Sequence, residues 1–567
     1  MLLSFLMLPF ALAQDTLTLS KDRIGKPLLA GSRIVEVSRS HGKVFAEGQR
    51  NLSPEMMALR REEDALVLLP LQHRHRKENR GKRRAAPPLR FPILAESDTS
   101  FTVSLSESFD TYPEVLSAIP PKWLKGKAES YEILDAAGNE RYIGITGRYC
   151  YPDSLEVTAL CYLIYLRDNP MEGRTVDPSK VGYNFDPRDL NRFAQRWDLS
   201  HGPIRFYVDK AFPAAWYPYI KEGIEDWNQA FVAAGLGTVL EVFPEPEEGL
   251  PERYSPLVNM VRYMDVDEAN AKGDVLCDPR SGEILSGDIL WWRNVVELLQ
   301  DWRYLQTGAA DPVARQAELP IEVLGPMIRH AVCHEMGHVL GLCHNMGGSY
   351  AYPADSLRSV SFTRHYGTTA SVMDYARYNH FATASDVAAG VALLPPRLGP
   401  YDYYAIALGY GDPDAPAGEF CYYAPSIHAA ISPDPSSQAE SLGDNLLRSS
   451  EAGLRNCRLL LGLDGRDERR TALLQKQYYR YISLSLSNLG GKVAGVPVDW
   501  KTQKRTLRFV QEALKKVPAE LADPEKEQAI LDELSGNFLP VRVKENGGEK
   551  MLKRYLRKVE RLKKTIH

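Results

Sequence analysis

The sequence predicts an α+β fold, with a β-rich N-terminal region, a central unit mixing strands and helices, and a helical C-terminal region. Three observations predict it. Short runs of alternating hydrophobicity fill residues 14–199. The stretch from about 200 to 412 interleaves strand-like runs with helical periodicity. Beyond 412, Pro- and Ser-rich material (DPDAPAG, SPDPSSQ) leads into amphipathic helical patterns up to residue 567.

The first thirteen residues, MLLSFLMLPFALA, are apolar and uncharged, and end in Ala11-Leu12-Ala13. They read as a secretory signal peptide over 1–13, although no Lys or Arg precedes the apolar run. In the 14–199 region, Arg33–Val37 and Phe101–Leu105 are strand-like. A basic stretch, His73–Arg84, reads as a solvated loop. In the 200–412 region, Pro203–Val208, Val258–Tyr263 and Gly287–Trp292 are strand candidates. Ile220, Ile224, Trp227 and Phe231 share one face of a helix that Gly235 ends. A further helix is expected over Ile321–Leu340. At the C-terminus, Leu552, Leu556, Val559 and Leu562 share a face, and Val541–His567 holds ten Lys/Arg against three Glu. That pattern reads as a docked terminal helix with a charged outer face.

Composition narrows the function. The chain has 567 residues, 44% hydrophobic and 25% charged, which is ordinary for a globular protein of several domains. Sixty-nine basic residues against 73 acidic ones supply no positive field for nucleic acid. Past the N-terminus no apolar run is long enough for a transmembrane segment. Seven cysteines are too few for a disulfide scaffold, and Cys150 with Cys161 is one candidate pair.

The chemistry is carried by residues 334–344, HEMGHVLGLCH. His334 and His338 are four apart on a helix, so their imidazoles project from one side and can share a Zn²⁺ ion. Glu335, beside the first ligand, is the right group to take a proton from water at the open coordination position. Gly341 lets the chain leave the helix through positive φ and bring in His344 as third metal ligand. Three neutral imidazoles leave the ion its full charge. HExxH alone is a weak signal, and the added Gly and third His make it specific. His330, one turn before His334, reads as a packing neighbour. Cys333 and Cys343 read as small buried hydrophobes, because neither projects with the histidines.

Downstream lies Ser371-Val372-Met373-Asp374-Tyr375. The long histidine motif followed by S-x-M-x-Y resembles the metzincin zinc proteases. That resemblance implies a metzincin-like catalytic domain: a twisted mixed sheet, an active-site helix, and a Met-turn in which Met373 forms an apolar floor beneath the metal. It also implies that Tyr375 is a catalytic residue, able to ligate zinc at rest and swing to support the oxyanion. Val181-Gly182-Tyr183, Arg196-Trp197, Phe206–Asp209, Ile224–Phe231, Asp278–Leu285, Thr368-Thr369-Ala370 and Gly399–Asp402 occur in this order. Together they are similar to the large zinc-dependent metalloproteases widespread in Bacteroidota. The resemblance implies a secreted, periplasmic or envelope-associated bacterial endopeptidase acting on a protein or peptide substrate. No N-terminal Cys stands in a recognisable latency motif.

The expected activity is therefore peptide-bond hydrolysis with one catalytic zinc ion, Glu335 as general base and Tyr375 as oxyanion support. Gly287–Leu290 is the expected edge strand for pairing with an extended substrate. The alternative is a catalytically silent, zinc-stabilised binding protein of the cell envelope. The intact Glu335 argues against it, since a structural site needs no base beside it.

Overall fold

A computed structural model describes residues 16–38, 46–50, 54–71, 89–105 and 128–566, apart from 187, 188, 190, 251, 396, 426–431, 464–466 and 537. The expected signal peptide and the basic stretch His73–Arg84 lie outside the described residues.

Alternating side chains in the N-terminal region build one antiparallel sheet. Its strands are β1 (Thr16–Ser20), β2 (Pro27–Val37), β3 (Glu55–Arg61), β4 (Ala65–Pro70), β5 (Leu89–Glu96), β6 (Ser100–Ser104), β7 (Ser130–Gly138), β8 (Tyr142–Tyr151) and β9 (Leu155–Tyr165). They lie in the order β1-β6-β5-β4-β3-β2-β9-β8-β7. The outermost strands β1 and β7 approach each other, so the sheet curls round one core that includes Leu19, Phe91, Val103 and Val157. The strands end at Tyr165, and the following segment runs onto the next unit. Tyr183 bridges to Leu342 there, and Arg196 to Glu283.

The central unit holds a five-stranded mixed sheet of β10 (Ile204–Val208), β11 (Leu240–Pro244), β12 (Asn259–Met264), β13 (Ala271–Asp278) and β14 (Glu283–Trp292), ordered β11-β10-β12-β14-β13. All neighbours are parallel except β13, which runs antiparallel to β14. Gly287–Leu290 is therefore not an edge: β14 is internal, between β12 and β13. Its near-continuous burial, through Ile289, Trp291 and Trp292, is what an internal strand requires. The edge strand on that side is β13.

The expected helix after β10 is two segments, α1 (Tyr217–Glu225) and α2 (Asn228–Ala233). The break falls where Asp226 turns to Arg329 and the Trp227 indole donates to the Cys333 carbonyl. Ile220, Ile224, Trp227 and Phe231 are nonetheless all fully buried, and Gly235 follows with φ of +77°. Next come α3 (Val295–Thr307) and α4 (Ile321–Val339). In α4, Leu324, Ile328, Val332 and Met336 recur every fourth residue and face the core. Gly273 on β13 lets α4 lie close, since a Cβ there would stand 2.6 Å from the Glu335 carbonyl oxygen.

Short helices α5 (Val360–Tyr366) and α6 (Ala384–Ala389) precede α7 (Pro400–Tyr410). The C-terminal region packs α8 (Leu446–Leu461), α9 (Glu468–Ser485), α10 (Trp500–Lys515), α11 (Pro524–Ser535) and α12 (Phe538–Ile566) round their own core. The terminal helix is docked, through Tyr555, Val559 and Leu562, while Leu556 is exposed. The buried face thus uses Tyr555 in place of Leu556. All seven cysteines are free thiols. Cys150 sits opposite Glu156, and Cys161 opposite Ile145, so the suggested pair does not form.

The N-terminal sheet and the mixed sheet are joined by a buried ion cluster. Arg33 of β2 reaches Asp288 of β14 at 2.7 Å, Arg50 at 3.1 Å and Arg262 of β12 at 3.3 Å. The other Asp288 oxygen accepts from the Met260 amide. Burial by itself would raise the Asp288 carboxyl, but the charges of Arg262, Arg33 and Arg50 hold it well below the usual carboxylate range.

Candidate metal centre

The helix end positions the first two histidines and redirects the chain to the third. Gly341 has φ of +95°. Its amide donates to the His338 carbonyl, and the Leu342 amide to that of Gly337, both at 2.9 Å, which is a Schellman closure. The Gly341 carbonyl accepts from Asn184, and the Cys343 amide donates to Gly182. A Cβ on Gly341 would meet the Gln195 carbonyl oxygen at 1.9 Å. Gly341→Ala therefore suffers both backbone strain and a clash with backbone. It is expected to cost about 2–4 kcal/mol and displace His344, read as a lowered melting midpoint and loss of stoichiometric zinc uptake.

The rings of His334, His338 and His344 converge. One nitrogen from each lies within 4.8 Å of the others, and Nε2 of His338 and His344 are 3.1 Å apart. His334 Nδ1 is 2.7 Å from the Val372 carbonyl, and His338 Nδ1 is 2.8 Å from that of Leu342. Each carbonyl can only accept, so both Nδ1 atoms carry the proton and both Nε2 atoms turn a lone pair toward the cluster. His334 Nε2 is buried with no partner among the described residues. Burial and the neighbouring His338 and His344 push His334 well below its ordinary value, so it is neutral. A buried, unpartnered nitrogen lone pair beside two more imidazoles fits Zn²⁺.

Glu335 is buried, and its Oε2 accepts from the Gly273 amide of β13 at 2.8 Å. Burial raises its carboxyl, against the opposing effects of His338, the Gly273 amide and Arg377. Tyr375 stands beside the cluster, with its ring centroid 4.5 Å from that of His344 and 5.3 Å from that of His334. Burial raises its phenol.

Met373 is fully buried under α4, and a Cβ on Gly337 would stand 2.2 Å from its sulfur. Its loop is clamped by Asp402 at the start of α7, which accepts from Ser371 Oγ (2.7 Å), the Val372 amide and the Gly399 amide (both 2.8 Å). Burial raises the Asp402 carboxyl to about 7. Asn345, next to His344, donates its amide to the Met373 carbonyl. The loop and the third histidine are thus fixed to each other.

A family model described as Met-zincin matches residues 316–565. The match supports a metzincin-type family. It spans α4, the three histidines, the Met373 loop and the helical region beyond. The Met-zincin description points to a zinc-dependent metalloprotease, a hydrolase. No match was found among curated proteins or among solved structures.

Cys333 and Cys343 are not part of the histidine cluster. Their sulfurs donate to the Arg397 carbonyl and Asn184 Oδ1, and burial raises both thiols. Sequence reasoning missed Gly273, whose amide holds Glu335, because nothing in a strand glycine announces a contact 62 residues away. It noted Asp402 only within a longer run. Its place three residues after Gly399, at a helix start, carries the signal of a capping carboxylate. Among the described residues no helix is long and apolar enough to cross a membrane.

Proposed function

We propose that this chain is a secreted zinc-dependent endopeptidase of the bacterial envelope or exterior. His334, His338 and His344 hold the ion, and Glu335 acts as general base. The convergence of three imidazole nitrogens beside a buried carboxylate carries this reading. Zinc, when bound, supplies Lewis acidity toward the scissile carbonyl and toward water. Glu335, raised by burial, takes the proton of the attacking water and passes it to the leaving amine. The Gly273 amide aims one carboxylate oxygen and leaves the other for that proton. Tyr375 donates its phenolic proton as a hydrogen bond to the tetrahedral oxyanion. Met373 plays the Met-turn role, a soft apolar floor beneath the imidazoles. The resemblance of the sequence runs to Bacteroidota metalloproteases, and the apolar stretch at 1–13 read as a signal peptide, support this reading of export.

β13 is the strand we assign to the substrate, in place of Gly287–Leu290, because it is the sheet edge beside α4. Purified protein is expected to cleave casein, to stop when chelated, and to regain activity with one equivalent of zinc. Proteolysis unaffected by complete zinc removal would contradict the assignment.

A further inference from the structure

Two residues past Tyr375, Arg377 adopts a left-handed backbone conformation, φ +61°. Its guanidinium lies between two rings, 3.5 Å from the Trp302 ring centre on α3 and 4.0 Å from that of Tyr375. Contact with two rings restrains the guanidinium and leaves its N–H groups for bonding. Those groups have no hydrogen bond or ion pair among the described residues, and Nε is buried without a partner. The carboxylates that act on it from a distance are Glu440 and Asp374. Both are engaged elsewhere, Glu440 with Gln477 and Asp374 with Ser349 and Thr369. The arginine is only partly exposed. A partly desolvated cation held flat without a counter-ion is primed for a planar anion.

We propose that Arg377 is a specificity residue that binds a carboxylate of the peptide substrate. The proposal rests on the peptidase reading above and names its substrate class, acidic peptides. Tyr375 packs against both the guanidinium and the His344 imidazole, at 4.0 and 4.5 Å between centres. At about 3.3 Å per extended residue, the recognised carboxylate lies about two residues from the scissile bond. The carboxylate can be the free end of a peptide or a Glu or Asp side chain, since both present the same two oxygens to the fork.

The test is equilibrium binding to full-length Glu335→Gln protein, where turnover is removed. Fluorescent alanine-based octapeptides serve as probes: neutral with an amidated end, the same with a free C-terminal carboxylate, and amidated versions carrying one Glu or one Gln at each position. At least one acid-bearing probe is expected to bind about tenfold tighter than its neutral counterpart. The Glu scan against the free-end probe tells the two sources apart. In Arg377→Gln that difference disappears and neutral-probe binding is unchanged, whereas a purely structural role would weaken all probes together. Arg377→Lys keeps charge without the fork, and should retain less than half of the preference in log units. Equal binding of acid and neutral probes by the parent protein, no acid probe binding, or a preference that survives Arg377→Gln overturns the proposal. Because this readout needs no cleavage, its failure is separable from failure of the casein assay.

Discussion

Glu335→Ala is expected to retain zinc and lose peptide hydrolysis by a factor on the order of 10²–10⁴, the usual contribution of a positioned general base. The ring nitrogens of His334, His338 and His344 do not depend on that carboxylate, so metal content should stay at one equivalent. The alanine variant also strips the Gly273 amide of its acceptor, at a cost of about 1–3 kcal/mol in stability. Glu335→Gln separates the two effects. Its amide oxygen still accepts from Gly273 but takes no proton, so its melting midpoint should match the parent while turnover is lost. Metal analysis, thermal melts and a protease assay on both variants read all three quantities. Substantial turnover in either would remove Glu335 as the base.

The second large effect is structural. Asp288→Asn is expected to destabilise the chain by about 3–5 kcal/mol, because it leaves buried arginines without their counter-charge. Arg33 and Asp288 have no exposed side-chain surface, and Arg50 and Arg262 are nearly as deep. The asparagine can still accept from the Met260 amide, so the loss isolates the charge. Burial and neighbouring Arg262 already work against the charge on Arg33. Arg33→Met in the Asp288→Asn background should therefore restore part of the loss, a coupling measurable by a double-mutant cycle in denaturant. An unchanged unfolding midpoint in Asp288→Asn would show the cluster to be energetically idle. The sign with pH follows from the depressed carboxyl. Its stabilisation is present above the ordinary aspartate range and fades as pH falls through and below it.

Much of the candidate metal centre is legible in the sequence because it is local. The four-residue spacing of His334 and His338, and the glycine that turns the chain toward His344, act within a single helix end. Three strands of the mixed sheet, β10, β12 and β14, are legible for the same reason, as short apolar runs, whereas the partly buried β11 and β13 are not among the expected strands. Strand order is different, because pairing partners are set by distant residues. That is why Gly287–Leu290 reads as an edge although β13 covers it. Arg377 and Trp302 lie 75 residues apart in numbering and meet only in the fold. The break between α1 and α2 likewise depends on Arg329 and Cys333 of a later helix.

The arginine–aspartate cluster bears on how much of this polypeptide the proposed peptidase unit needs. Arg33 belongs to the second strand of the chain, yet its counter-ion sits in the middle of the mixed sheet. Shortened versions designed to start near residue 180 would lose two of the three guanidiniums around that carboxylate. The front of the molecule is thus better regarded as a keystone than as a detachable cover.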